Sequence, residues 1–274
     1  MDTPLAAHAQ DLSLVHEGGR IALDAISFSV RAGERVAIIG PSGAGKTTLL
    51  QLCTTALRQS SGTLALLGED PWALGAGARR RLRRRIGLIH QSPPLPPRQR
   101  VVTAVLAGRL GAWSLSRALA SLAYPADVEG ARAALARVDL SDRVYDRCDR
   151  LSGGQAQRVG IARVLYQQPE LILADEPVSA LDPALSNYTV SVLVDEARVR
   201  NVTLIASLHA VDLALAHFPR VIGLRDGRVA FDLPTAAVDE ARLESLYAQE
   251  GVLPVQGREL TLPRVRTPRA VRCN

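Results

Sequence analysis

Short apolar stretches of strand length alternate with stretches of helical periodicity along most of the chain. The strand-like stretches cover residues 12–15, 26–30, 36–39, 63–67, 86–90, 171–174 and 202–208. The last two are almost continuously apolar, which is typical of strands buried on both faces of a parallel sheet. Helical patterns follow the third stretch, over residues 46–57, and precede the sixth, over residues 153–166. This alternation predicts an α/β fold, in which a parallel sheet carries helices on both faces.

The middle and the end of the chain depart from this alternation. Four prolines within residues 92–99 predict a stiff, extended connector. Residues 101–150 then show helical spacing of apolar positions. We therefore predict an inserted helical subdomain at about residues 92–157 of a domain that spans residues 9–248. Residues 249–274 are polar and rich in arginine and proline, and they are expected to form a loosely ordered tail.

Composition and charge add little to this picture. Apolar residues make up 47% and charged residues 22% of the 274 residues, as in globular proteins. The formal net charge of +6 is concentrated in six arginines at residues 79–85 and five at residues 258–272. Without the second group most of the excess disappears, so nucleic acid is not an expected partner. The run at residues 79–85 is expected to be a solvated helix face, with contact to anionic lipid headgroups as the alternative.

Cysteine usage and hydropathy bear on the compartment. The three cysteines lie far apart and show no spacing typical of zinc ligands. Their odd number, without a basic and apolar leader at the N-terminus, favours a reducing compartment. No apolar run approaches the roughly 18 residues of a membrane-spanning helix. We expect a cytosolic chain, and any membrane role would require a separate membrane subunit.

One glycine-rich segment follows the third predicted strand and matches the phosphate-loop pattern G-x-x-x-x-G-K-[ST]. Its residues are Gly40, Pro41, Ser42, Gly43, Ala44, Gly45, Lys46 and Thr47. Lys46 is the only lysine among 33 basic residues, and a compact ammonium suits the outer phosphates of a nucleotide better than a guanidinium does. Backbone amides of residues 43–47 would hold the phosphates. Thr47 would ligate Mg²⁺, and Thr48 would add a hydroxyl near the α-phosphate; the alternative is a plain glycine-rich turn.

Two carboxylates end the apolar stretch at residues 171–174. Asp175 and Glu176 would lie at the carboxyl edge of the sheet, beside the phosphate loop. Asp175 fits a Mg²⁺-linked role, and Glu176 fits a general base that orients the attacking water. The alternative is a strand end with solvated acids.

A second predicted helix also begins with residues suited to an anion. Its start carries Ser152, Gly153, Gly154 and Gln155, in the sequence Leu-Ser-Gly-Gly-Gln. A serine followed by two glycines leaves the amides of a helix start accessible to phosphate oxygens. One chain with two such helix starts suggests two copies arranged head to tail, each completing the nucleotide site of the other.

The order of these motifs resembles that of the ATP-binding cassette (ABC) ATPases over roughly residues 9–248. The resemblance implies a P-loop NTPase of the ABC type, with a mostly parallel sheet core, an N-terminal antiparallel β subdomain and an inserted helical subdomain. It implies that Gln91 lies in the Q-loop as a catalytic and Mg²⁺-contacting residue, and that Asp182 belongs to the D-loop. His209 takes the place of the switch histidine that contacts the γ-phosphate. His16 stands where the family usually has an aromatic residue that stacks on adenine.

A finer resemblance connects the chain with phosphonate-import ATPase subunits. It is carried by residues 105–111, 182–186, 207–215 and 221–229. It implies a subunit that hydrolyses ATP with Mg²⁺ as a homodimer, peripheral to the cytoplasmic face of the inner membrane. An integral-membrane permease would be its direct partner and a periplasmic solute-binding protein an indirect one. Phosphite or another oxyanion is the nearest alternative solute; an exporter, a lipoprotein-release ATPase and a soluble ABC ATPase are the alternative functions.

Overall fold

The computed structural model describes residues 3–179 and 181–248 of the chain. The strands are β1 (Leu5–Val15), β2 (Ile21–Arg31), β3 (Arg35–Ile39), β4 (Ser61–Leu66), β5 (Ile86–Ile89), β6 (Leu171–Asp175), β7 (Thr203–Ser207), β8 (Arg220–Arg225) and β9 (Arg228–Pro234). The helices are α1 (Lys46–Cys53), α2 (Ala76–Arg84), α3 (Val101–Leu106), α4 (Leu115–Ala123), α5 (Val128–Ala136), α6 (Gly153–Gln167), α7 (Pro183–Val199), α8 (Val211–His217) and α9 (Glu240–Tyr247). Among these residues, no helix combines the length and the apolarity that crossing a membrane requires.

Two sheets organise the fold. An antiparallel sheet has the order β2-β1-β4, and a six-stranded sheet has the order β5-β6-β7-β3-β8-β9. Every pairing of the larger sheet is parallel except that of β8 with β9. The predicted α/β fold of the ABC type, with its mostly parallel sheet and antiparallel N-terminal strands, is confirmed.

The core lies on both faces of the larger sheet. Along β3, Val36 and Ile38 belong to one buried apolar cluster, whereas Ala37 and Ile39 belong to the other. This alternation follows from the two-residue period of a strand, which sends successive side chains to opposite faces. Helix α1 packs into the first cluster, and helices α3, α5, α6 and α7 pack into the second.

The register of the central strands brings three chain segments together. Ser207 at the end of β7 pairs with Ile38 of β3 on one side and with Asp175 of β6 on the other. The segments that leave β3, β6 and β7 therefore emerge side by side at the carboxyl edge of the sheet. This edge is where ligands bind in open α/β sheets.

Helix α1 is shorter than its sequence pattern predicts. It ends at Cys53, whereas the pattern continues to residue 57. Thr55 adopts a left-handed φ of 60°. Arg83 holds it there, donating from Nε to Thr55 Oγ1 (2.6 Å) and from Nη2 to the Thr55 carbonyl (2.9 Å). This left-handed conformation is incompatible with a continuing α-helix, and the contact from α2 stabilises it at a β-branched residue that rarely adopts it.

The segment with helical periodicity at residues 101–150 forms separate short helices. Ser114 caps the start of α4 and Asp127 caps the start of α5. Helices α3 and α5 both pack on α6. The limits of a helical subdomain at about residues 92–157 stay a prediction, and the predicted tail at residues 249–274 lies outside the described residues.

The arginine run is only partly the solvated face that its charge suggested. Arg79 donates to the Pro71 and Leu74 carbonyls and stacks 4.4 Å from the Trp72 ring. Arg85 pairs with Glu69 and Glu170, at 2.8 and 2.6 Å. The expectation is therefore wrong for the half-buried Arg79 and Arg85. It holds for Arg80, Arg81, Arg83 and Arg84, which are exposed, although Arg83 also binds Thr55.

Candidate nucleotide-binding site

The loop between β3 and α1 needs glycine at two positions. Gly40 has a φ of 151°, and a Cβ there would lie 2.0 Å from the Leu224 carbonyl oxygen. Gly45 has a φ of 101°, and a Cβ there would lie 2.6 Å from Leu23 Cδ2. Gly45 is also the N-cap of α1, so the helix begins without a side-chain cap. The amides of the first turn are therefore open to an anion.

Lys46 is buried, although it carries a charge. Its Nζ donates to the carbonyl oxygens of Gly40, at 2.7 Å, and of Pro41, at 3.0 Å. The ammonium therefore folds back onto the loop that precedes the helix. Carbonyl partners stabilise the charge in this state, and phosphate oxygens would be stronger acceptors for it.

Asp175 meets two hydroxyls at the end of β6. Thr47 Oγ1 donates to Asp175 Oδ1 at 3.1 Å, and Ser207 Oγ donates to the same oxygen at 2.8 Å. Ser207 is fully buried and was not among the residues expected from the sequence. The sequence shows only a polar residue at the end of an apolar strand, and the register that sets Ser207 beside Asp175 comes from the structure.

Glu176 is held in an unusual backbone conformation. Its φ is 45°, in the left-handed region that residues other than glycine seldom adopt. Its N–H donates to the Ser207 backbone oxygen at 3.2 Å and to Ser207 Oγ at 3.0 Å. Such strain, which costs about 1–3 kcal/mol, persists where the surroundings over-determine the conformation, as at functional sites.

Two side chains contact the Glu176 carboxylate. Gln91 Nε2 donates to Glu176 Oε2 at 2.8 Å, and His209 Nε2 lies 2.5 Å from Glu176 Oε1. The Glu176 side chain is 11% exposed, whereas that of His209 is 47% exposed. The carboxylate is therefore shielded and oriented, while the imidazole remains accessible from outside.

A cavity of about 300 Å³ joins Glu176 and His209 to the phosphate loop, whereas Gln91 and Asp175 do not line it in the described structure. Loop residues 42–48, Glu176 and His209 line it, together with His16, as expected from the sequence. Arg20, Ile21 and Ala22 also line the cavity and were missed. Ile21 is 61% exposed, and no pattern in the sequence marks it as part of this wall.

The residues at the start of α6 do not line this cavity in the described part of the chain. Ser152 Oγ accepts from the Gln155 N–H at 3.3 Å, and Gln155 Oε1 accepts from the Ser152 N–H at 3.0 Å. This reciprocal pair is a capping box. Asp182 likewise accepts from the Leu185 N–H at 3.0 Å and caps α7. Gly153 and Gly154 follow Ser152 in the first turn of α6.

The donor set fits a hard cation that is bound jointly with phosphates. The described residues contain no group of three or more His, Cys, Asp or Glu side chains that could hold a metal ion. Mg²⁺ commonly takes one or two carboxylates and completes its shell with phosphate oxygens, hydroxyls and water. Asp175, Thr47 and the amide oxygen of Gln91 are oxygen ligands of this kind.

Sequence comparison relates this chain to a known family and to known proteins. Residues 23–179 match the ABC transporter family. The chain is 65% identical over 239 residues to the phosphonates import ATP-binding protein PhnC 2 of Pseudomonas aeruginosa, which covers 87% of this chain and 90% of that protein. It is 60% identical over 259 residues to the phosphonates import ATP-binding protein PhnC of Pseudomonas putida, which covers 94% of this chain and 96% of that protein.

Solved structures with the same fold include ABC cassettes. A bacterial ABC transporter cassette solved as a dimer superposes with a TM-score of 0.73 at 26% identity, over 84% of this chain and 98% of that chain. The dimeric post-hydrolysis state of an ATP-binding cassette bound to ADP and Pi superposes with a TM-score of 0.72, also at 26% identity and over the same shares of both chains.

Proposed function

This chain belongs to the ABC transporter family, and we propose that it is the ATP-hydrolysing subunit of an importer for phosphonates or a related oxyanion. The observation that carries the hydrolytic role is the position of Glu176, which lines the phosphate-loop cavity with His209 and whose carboxylate both Gln91 and His209 contact. The relatives at 60–65% identity support import, since they are phosphonates import ATP-binding proteins. They argue against an exporter, a lipoprotein-release ATPase and a soluble ABC ATPase.

The loop and its walls would hold ATP. Amides of residues 43–47 would bind the phosphates. The space beside Gly43 is open, since a Cβ at that position would meet no neighbouring atom within 4 Å. Lys46 would exchange the carbonyls of Gly40 and Pro41 for outer phosphate oxygens. His16 and Ile21 would flank the adenine, and Thr48 would contact the α-phosphate.

Hydrolysis would depend on oxygen ligands and on one base. Thr47, Asp175 and Gln91 would hold Mg²⁺, which, when bound, neutralises developing charge on the phosphate oxygens. Glu176 would accept a proton from the attacking water. His209, whose ring is half exposed, would leave the carboxylate to contact the γ-phosphate.

A second copy would complete each nucleotide site. Ser152, Gly153, Gly154, Gln155 and Asp182 line no part of the described cavity of their own chain, so a head-to-tail partner is the natural place for their ligand. We place the dimer on the cytoplasmic face of the inner membrane, bound to a permease that receives solute from a periplasmic binding protein. We place the ATPase domain at residues 9–248.

The test compares two glutamate-to-glutamine variants. Glu176→Gln is expected to lower the ATPase rate by about 10²–10⁴-fold while ATP binding persists, because the base is lost and the nucleotide contacts are kept. Glu170→Gln makes the same chemical change away from the cavity and should keep the wild-type rate. Equal rates for Glu176→Gln and wild type would refute the assignment of the base.

The solute is tested separately, with the protein reconstituted in liposomes with its permease and binding protein. Methylphosphonate should stimulate ATP hydrolysis, and phosphite, phosphate and sulfate serve as comparison solutes. Stimulation by sulfate alone would reject phosphonate import and leave the hydrolytic role intact.

A further inference from the structure

The hydroxyl of Ser207 is a polar group enclosed in the middle of the larger sheet. Ser207 is the last residue of β7, and its exposed fraction is 0%. The four residues that precede it in the strand are buried as well. Burying a hydroxyl without partners costs free energy, so buried hydroxyls in proteins are nearly always hydrogen-bonded. The reason for a serine at this position therefore lies in the contacts of its Oγ.

Both kinds of hydrogen bond that this hydroxyl can form are made, and their direction is fixed. A carboxylate oxygen accepts, so Ser207 Oγ donates to Asp175 Oδ1 at 2.8 Å. A backbone N–H donates, so Ser207 Oγ accepts from the Glu176 N–H at 3.0 Å. One hydroxyl thus connects the side chain of Asp175 with the backbone of Glu176, the next residue along the chain.

The sheet, and not the phosphate loop, sets the position of Ser207. It pairs with Ile38 of β3 on one side and with Asp175 of β6 on the other. In the described structure Ser207 does not line the nucleotide cavity. Thr47, which also donates to Asp175 Oδ1, does line this cavity and is an expected Mg²⁺ ligand. Of these two donors, Ser207 is therefore the one whose place is independent of the nucleotide.

The backbone of Glu176 depends on the same hydroxyl. Its φ of 45° lies in the left-handed region, which is unfavourable for residues other than glycine. The Glu176 N–H donates to two acceptors, the Ser207 backbone oxygen at 3.2 Å and Ser207 Oγ at 3.0 Å. Without the hydroxyl, the longer contact alone would remain. The carboxylate that Gln91 and His209 contact would then be held less firmly.

A second hydroxyl of β7 shows what a purely structural role looks like. Thr203, the first residue of the strand, is 1% exposed, and its Oγ1 accepts from the Gly33 N–H at 3.0 Å. This contact fastens the turn between β2 and β3, and Thr203 does not line the nucleotide cavity either. The two hydroxyls are equally buried and both accept from a backbone N–H. Of the two, Ser207 is the one that also donates to a carboxylate of the site.

We propose that Ser207 is a positioning residue for ATP hydrolysis, which holds the Mg²⁺-linked carboxylate of Asp175 and the backbone of Glu176 in a fixed relation. The inference rests on the proposed hydrolytic function and adds a residue that contacts the site from the sheet. Asp175 would serve the metal, whereas Glu176 would serve the attacking water. Loss of one hydroxyl should therefore change two quantities together, the affinity for the metal and the rate of the chemical step.

The test compares Ser207→Ala with Thr203→Val, which removes the buried hydroxyl at the other end of the same strand. The full-length variants are loaded with the β,γ-imido analogue of ATP, and electron paramagnetic resonance measures the affinity of Mn²⁺ for each complex. Turnover is measured at saturating ATP and Mg²⁺, so that weaker metal binding does not lower it. Thermal unfolding and nucleotide affinity without metal verify the fold and the loop. If Ser207→Ala does not fold, Ser207→Cys replaces it, because a thiol is only a weak donor.

Ser207→Ala should weaken Mn²⁺ binding about fivefold and lower turnover about tenfold, since a hydrogen bond to a charged group is lost. Its metal-free nucleotide affinity should be unchanged. Thr203→Val should lower the thermal midpoint and leave Mn²⁺ affinity and turnover as in the wild type. The proposal is overturned if either quantity is unchanged in Ser207→Ala, or if Thr203→Val loses as much. Failure of the proposed function differs from both outcomes, because the wild-type chain itself would then show no turnover.

Discussion

Helices α1 and α6 both begin with glycine-rich sequences of the kind that bind anions, yet their first turns are capped differently. Helix α1 begins at Gly45 without a side-chain cap, and Lys46 and Thr47 in its first turn contact other groups of the site. Helix α6 begins at Ser152, where Gln155 completes a capping box. The start of α1 lines the nucleotide cavity. At the start of α6, Ser152 and Gln155 hydrogen-bond to each other.

The glycines near the two helix starts differ in whether their own chain requires them. Gly40 and Gly45 are required by their own chain, because a Cβ at either position would collide with a described neighbour. A Cβ at Gly153 would meet nothing within 4 Å of the described structure, and its φ lies outside the left-handed region. Gly154, in contrast, is required by its own chain, because a Cβ there would lie 2.9 Å from Leu181 Cδ2. Of the two glycines at the start of α6, Gly153 alone has no described neighbour that demands glycine, which agrees with the proposal that a partner's nucleotide approaches it.

The largest expected effect concerns the charge at the start of α1. Lys46→Ala should lower ATP hydrolysis by about 10²–10³-fold, as expected when a donor to developing charge is removed. Lys46→Arg should be nearly as damaging, because the loop holds a compact, buried ammonium against the Gly40 and Pro41 carbonyls, and a planar guanidinium has a different donor geometry. Steady-state ATPase assays measure both. A wild-type ATPase rate for the arginine variant would show that the loop requires a positive charge but not specifically an ammonium.

Much of this site could be predicted from the sequence, because its parts follow strands. The phosphate loop follows β3, Asp175 ends β6, and His209 comes soon after β7, so the parallel order of the sheet brings them to one edge. His16, which follows the first strand, lines the same cavity, and its contact with adenine stays a prediction. The identity of these residues and the strand order are enough for this part of the prediction.

The parts that were missed depend on contacts between segments distant in the sequence. Ser207 acquires its role only from its register against Asp175, and Ile21 only from the packing of the antiparallel sheet beside the loop. The end of α1 depends on Arg83, which reaches Thr55 from α2. No local pattern carries these pairings, so hydrophobic periodicity could not reveal them.

The second prediction tests the start of α6 as a group that acts on another copy. Lys46→Ala and Ser152→Arg are each expected to be inactive alone. In a mixed dimer one shared site carries both lesions and the other carries neither, so co-expression should restore part of the ATPase activity. The matched control mixes Lys46→Ala with Glu176→Gln, which lie in the same cavity of one chain and leave no intact site in the mixed dimer.

Cross-linking provides an independent measurement for the same prediction. Ser42→Cys and Ser152→Cys, combined with Glu176→Gln and Cys273→Ser, should cross-link between subunits when ATP is present. The native thiols should stay silent, because Cys53 and Cys148 are buried and burial raises the pKa of Cys53 to about 12. Failure of both rescue and cross-linking would leave α6 with a structural role only.

A smaller effect is expected at the first glycine of α6. Gly153→Ala should leave the thermal midpoint unchanged or slightly higher, since the added methyl meets open space and alanine favours a helix. The ATPase rate should nevertheless fall about tenfold, because the methyl obstructs the nucleotide of the partner. Gly75→Ala, at the N-cap of α2, is the control for the ATPase rate, because its Cβ also meets open space and it lies outside the nucleotide cavity; alanine is disfavoured at an N-cap, so only its thermal midpoint should fall. A normal rate for Gly153→Ala would assign this glycine to helix formation alone.

The smallest effect compares the third residue of each helix. Gln155→Ala removes the side chain whose Oε1 accepts from the Ser152 N–H, and it should lower the free energy of unfolding by about 0.5–1 kcal/mol. Thr48→Ala changes the equivalent position of α1, where the N-cap is Gly45 and no side-chain cap exists to be lost. Its unfolding free energy should stay within about 0.5 kcal/mol of wild type, because alanine also has the higher helix propensity. Urea unfolding of both variants without nucleotide measures the difference. If Thr48→Ala were the more damaging change, the start of α1 would depend on its own side chains for stability, and its open amides would no longer distinguish it from the capped start of α6.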